Sequence, residues 1–135
     1  MSAKKIALIE DDEILSKVLS TEFRDAGFEV FQAFDGIAGL ELVKSKRPDV
    51  VMLDLILPKK PGLEVLEELK NSPDTKAIPV VILTLLGEDE DIKKGLGLGS
   101  DEYLIKSNQA VGDIVEKVKR FLAKNNQPEE KTPTT

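Results

Sequence analysis

The chain has 135 residues, the length of one domain, and is 41% hydrophobic but only 4% aromatic, so the core it can build is aliphatic. It has no cysteine and no histidine, which excludes a disulfide framework, a thiolate nucleophile, serine–histidine catalysis and most zinc sites. A formal charge of -6 argues against a nucleic-acid partner, and no apolar run approaches the roughly 18 residues of a membrane span, so a cytoplasmic location is expected.

Short apolar runs alternate with amphipathic stretches along the chain. Ile6-Ala7-Leu8-Ile9 is apolar on both faces and predicts a central strand; it is too short for a signal peptide. From Glu13 to Ala26, Ile14, Leu15, Val18, Leu19 and Phe23 share one helical stripe, and Gly27 closes it. Glu29 to Ala33 alternates more and predicts an edge strand. Gly36 to Lys46 is the second helix, with Pro48 just beyond it. Val50 to Asp54 is the third strand, and Gly62 to Lys70 the third helix. Pro79 to Thr84 is the fourth strand. Glu88 to Lys94 is a short polar helix whose acidic start suits the helix dipole. The glycines at 95, 97 and 99 are expected to end that helix in a turn. Glu102 to Ile105 is a short edge strand, and Gln109 to Lys124 the last helix. The remaining residues, 125–135, are polar and predict a disordered tail behind a single domain of residues 1–124.

Five strands alternating with five helices imply an α/β fold, with right-handed crossovers, a parallel sheet and helices on both faces. Ligands bind such sheets outside the carboxyl ends of the strands. There the chain carries Glu10-Asp11-Asp12, Asp54, Thr84 and Lys106. Asp54 sits in the apolar run 50–58, where an unpaired carboxylate costs several kcal/mol unless something compensates it. Gathered carboxylates fit a hard divalent cation such as Mg²⁺. A metal-bound carboxylate beside a lysine and a hydroxyl suits phosphoryl transfer, with Asp54 as nucleophile.

Four pieces occur in order at strand ends: Ile9-Glu10-Asp11-Asp12; Leu53 to Pro58 with Gly62; Leu83-Thr84; and Gly99 to Lys106. With these, residues 4–124 resemble the receiver domain of two-component response regulators, in its stand-alone, chemotaxis-regulator-like form. The resemblance implies a doubly wound, flavodoxin-like sheet of strand order 2-1-3-4-5. It implies Asp54 as phosphoacceptor and Mg²⁺ held by Glu10, Asp11, Asp54 and the backbone carbonyl of Ile56. It implies Thr84 and Lys106 as phosphoryl-binding groups and Tyr103 as the aromatic that moves with Thr84. A sensor histidine kinase or phosphotransfer protein would donate the phosphoryl group. A downstream protein would read the face made by the fourth helix, fifth strand and fifth helix, and the resemblance leaves room for a phosphorylation-dependent homodimer. No output domain is expected after the last helix.

Two positions depart from the family pattern. Ser107 replaces the proline that usually follows the lysine. A cis peptide before a non-proline costs roughly 2.5–4 kcal/mol, so a trans Lys106–Ser107 bond and a remodelled loop are expected. Leu85 replaces a small residue after Thr84 and, with Leu86 and Ile56, is expected to restrict water at the site. An aspartyl-phosphate hydrolase of the haloacid-dehalogenase type needs a second aspartate where Ile56 stands, which argues against that alternative. A receiver-like binding module that is never phosphorylated is the other reading.

Overall fold

The computed structural model describes residues 3–125. The elements run β1 (Lys5–Ile9), α1 (Glu13–Asp25), β2 (Glu29–Ala33), α2 (Gly36–Lys46), β3 (Val50–Leu53), α3 (Gly62–Asn71), β4 (Val80–Thr84), α4 (Asp89–Gly97), β5 (Glu102–Ile105) and α5 (Val111–Asn125). The strands form one parallel sheet in the order β2-β1-β3-β4-β5. The alternating run β2 and the short run β5 are the edges, as expected. Residues 126–135, most of the predicted tail, lie outside the described residues. No helix among the described residues is long and apolar enough to cross a membrane.

The two-residue period of the strands sorts the core into two layers. In β1, Ile6 and Leu8 join a cluster with Leu19 and Phe23 of α1 and Ile114, Val118 and Leu122 of α5. Ala7 and Ile9 point the other way, to Leu40 and Val43 of α2 and Val65, Leu66 and Leu69 of α3. The sheet is therefore covered on both faces, which is why its central strands read as unbroken apolar runs.

Register brings the strand ends together. Ile9 pairs with Leu53, so Glu10 and Asp54 follow side by side, and the Asp54 N–H donates to the Ile9 carbonyl at 3.1 Å. Thr84 pairs with Ile105, which places Lys106 one step beyond it.

The fourth helix runs past its expected end at Lys94, through Gly95 to Gly97. Gly95 is buried, so packing overrides the poor helix propensity of glycine there. At Gly97 no such packing exists, because an added Cβ would meet nothing within 4 Å. Gly97→Ala is therefore expected to raise stability by about 0.5–1 kcal/mol through helix propensity alone. A higher urea midpoint at unchanged slope would show it; a lower midpoint would place an unseen constraint at that turn.

Candidate functional site

Asp54 is the residue immediately after β3 and is 4% exposed. One carboxylate oxygen accepts the Ile56 N–H at 3.1 Å, and the other accepts from Lys106 Nζ at 2.8 Å. The same ammonium lies 2.8 Å from Glu10, which is almost fully buried. The second Glu10 oxygen accepts the Asp12 N–H at 3.0 Å. Lys106 thus bridges the ends of β1 and β3 from the end of β5. All peptide bonds among the described residues are trans, including Lys106–Ser107. A 3₁₀ turn at Lys106–Asn108 then leads the chain toward α5.

The three acids after β1 divide their tasks. Asp12 caps α1, its carboxylate accepting the N–H groups of Ile14 and Leu15 at 3.1 Å each. Asp11 is exposed and faces the cluster: single carboxylate oxygens of Glu10, Asp11 and Asp54 lie within 4.8 Å of one another. Three oxygen donors in one small space, open to water on the Asp11 side, suit a hard cation that keeps part of its hydration shell. The donor set fits Mg²⁺.

The tight turn after Asp54 depends on Gly62. A Cβ there would stand 2.3 Å from the Asp54 carbonyl oxygen and 2.5 Å from the Leu55 Cα. Only glycine lets the start of α3 press against the backbone that carries Asp54, and the Gly62 N–H donates to the Leu55 carbonyl at 3.0 Å.

Thr84, at the end of β4, is fully buried. Its hydroxyl receives only a long contact from the Leu86 N–H, at 3.5 Å. Tyr103 is half-buried on β5, and its hydroxyl donates to the Leu86 carbonyl at 2.6 Å. The tyrosine is thereby tied to the loop that leaves Thr84. Ile56 and Leu85, on the segments that follow Asp54 and Thr84, are 51% and 62% exposed.

The charges are unevenly compensated. Burial pushes the Glu10 carboxyl above its ordinary value, and the Lys106 hydrogen bond offsets this only in part. Burial pulls the Lys106 ammonium down, but its hydrogen bonds to Asp54 and Glu10 outweigh that and hold it above its ordinary value. Burial raises the Tyr103 phenol, with the charges of Asp91 and Asp54 adding to the shift.

Sequence reasoning brought Glu10, Asp11, Asp12, Asp54, Thr84 and Lys106 to one edge, where the structure has them, and Tyr103, which the resemblance added, lies on β5. It missed the Leu86 carbonyl and the buried Gly95. The Leu86 contact is made by backbone, which leaves no side-chain signal. Gly95 lay in a run that reads as a helix end.

Residues 6–119 match the profile of the response regulator receiver domain. The chain is 37% identical over 123 residues to the DNA-binding dual master transcriptional regulator RpaA of Synechocystis, covering 91% of this chain and 51% of that protein. It thus spans about half the length of the curated relatives it matches. Among solved structures, the receiver domain of a Francisella response regulator superposes with a TM-score of 0.83 at 28% identity, covering 91% of this chain and 99% of that one. The Mn²⁺-bound form of response regulator Rcp1 superposes with a TM-score of 0.72 at 31% identity, covering 97% of each chain.

Proposed function

This chain belongs to the response regulator receiver domain family, and we propose that Asp54 accepts a phosphoryl group from a partner's phosphohistidine. One observation carries the reading: a buried aspartate at the carboxyl edge of the sheet, grouped with Glu10 and Asp11 and bridged by Lys106 at 2.8 Å. Receiver domains are signalling proteins rather than conventional enzymes, and this one supplies the acceptor.

An Asp54 oxygen attacks phosphorus as the phosphorus–nitrogen bond of the donor breaks. The electron pair leaves on the imidazole nitrogen, which the partner provides because this chain has no histidine. Lys106, already within reach of Asp54, exchanges part of that ion pair for a phosphoryl oxygen. The Thr84 hydroxyl, held only by a long contact, is free to turn toward the same group. Mg²⁺ held by Glu10, Asp11 and Asp54, with the Ile56 carbonyl as a further ligand, would neutralise charge on the transferred phosphoryl. A manganese-bound relative of the same fold supports a divalent cation in this role.

The donor is then a sensor histidine kinase or a phosphotransfer protein. We place the output on the face made by α4, β5 and α5, because Tyr103 and its Leu86 partner link that face to Thr84. The test is intact mass after incubation with Mg²⁺ and acetyl phosphate. A phosphate adduct absent from Asp54→Ala supports the reading. An unmodified wild-type protein would favour a pure binding module, and rapid turnover of phosphate esters a hydrolase.

Leu85 bears on the lifetime of that adduct. It follows Thr84, the residue that would bind the phosphoryl group, and is 62% exposed. Leu85→Ala is expected to shorten the aspartyl-phosphate lifetime by admitting water. Decay followed by mass after removing the donor measures it, and an unchanged or longer lifetime would count against a shielding role.

A further inference from the structure

We propose that Gly95 is a positioning residue: it is the seat on α4 that holds the Tyr103 ring in place against the Leu86 carbonyl. A Cβ built on Gly95 would stand 3.0 Å from both Cδ2 and Cε2 of Tyr103 and 2.8 Å from Cδ1 of Ile82. The Ile82 methyl is the end of a flexible side chain and can turn aside. The tyrosine ring is rigid and held at its far end by the 2.6 Å hydrogen bond to Leu86. The few tenths of an ångström that a methyl would demand of the ring act directly on that bond. A single methyl at position 95 therefore competes with the hydrogen bond for the position of the ring.

The backbone of α4 thus rests directly on the ring, and the ring rests on the loop that follows Thr84. Any displacement of Leu86 must lift or release the ring, and with it the helix. Alanine at 95 would press on this link even though it favours the helix more than glycine does. Its neighbour Gly97, with open space around it, is the internal contrast. The consequence for signalling rests on the phosphoacceptor reading above, but the seat itself does not.

Tyr103 is the protein's one tyrosine and there is no tryptophan, so its fluorescence is unmasked. Acrylamide quenching of the unphosphorylated protein reads the ring's exposure without any transfer step. Gly95→Ala is expected to raise the quenching constant toward that of a free tyrosine, and Gly97→Ala to leave it at the wild-type value. A wild-type quenching constant in Gly95→Ala would overturn the proposal. Thermal unfolding adds a second readout. Gly95→Ala is expected to lower Tm in the wild-type background and to raise it in a Tyr103→Ala background, where the ring is gone and helix propensity decides. Equal shifts in both backgrounds would also overturn it. If the seat holds, a change in quenching on treatment with acetyl phosphate and Mg²⁺ that is lost in Gly95→Ala ties it to phosphorylation.

Discussion

Lys106→Met is expected to destabilise the protein by about 1–3 kcal/mol at neutral pH without divalent cations, one of the larger single effects at this edge of the sheet. The ammonium compensates two buried carboxylates at once, Glu10 and Asp54, each at 2.8 Å. Methionine keeps the volume of the stem and removes the charge. The estimate sits below that for a fully buried pair because the Lys106 side chain is 14% exposed and water relaxes around it.

The deficit should depend on pH in a direction that can be worked out. The folded protein already holds Glu10 above its ordinary value of 4.5, chiefly through burial. Losing Lys106 removes groups that oppose that rise, so Glu10 climbs further. A carboxyl raised in the folded state binds its proton more tightly there than in the unfolded chain. Stability then falls as pH rises through the interval from 4.5 to the folded value, and the penalty is complete above it. The deficit of Lys106→Met should therefore shrink as pH falls below that interval. It should also shrink at the alkaline end. Lys106 is raised above 10.5 in the folded protein, so its contribution is complete below 10.5 and is lost as pH rises through the folded value. Urea midpoints of both proteins in EDTA across pH measure this. A deficit that is flat across pH would mean that Lys106 acts through packing alone.

Mg²⁺ should stabilise the protein by about 2.7 kcal/mol at a concentration of 100 times its Kd, through binding to the folded state alone. Asp11→Asn should abolish most of that gain. Asp11 is the exposed member of the oxygen cluster, has no assigned hydrogen-bond partner among the described side chains, and caps no helix. Its removal costs the fold little while taking away one donor and one negative charge from the site. In EDTA the variant should be as stable as wild type or slightly more so, because a like charge beside Glu10 and Asp54 is gone. Thermal unfolding with EDTA and with Mg²⁺ separates the two effects. An undiminished Mg²⁺ shift in Asp11→Asn would remove Asp11 from the cation site.

Much of this edge was legible because parallel pairing converts strand ends into neighbours. The apolar runs at 6–9, 50–54 and 79–84 could only be covered central strands. Once they align, Glu10, Asp54 and Thr84 must emerge together. The departures were legible as well: Ser107 follows a trans bond and lies within a short 3₁₀ turn, and Lys106 still reaches Glu10 and Asp54. What stayed hidden were contacts whose cause lies across the fold. Lys59 lies 3.7 Å from Asp35 and Lys60 pairs with Glu68, and no local pattern announces either partner. The division of labour between Asp11 and Asp12 needed the position of the α1 N-terminus. The extension of α4 through Gly95 needed the Tyr103 ring above it, because glycine spacing by itself signals a helix end.

The claim that Asp54 takes the phosphoryl group is tested most directly by locating the modified residue. Treat the protein with Mg²⁺ and acetyl phosphate, reduce with borohydride, which converts an aspartyl phosphate to homoserine, and sequence the peptides by mass spectrometry. Homoserine at position 54 alone is the predicted result. Homoserine at Asp11 or Asp12 with an intact Asp54, or none anywhere in a protein that still binds Mg²⁺, would contradict it.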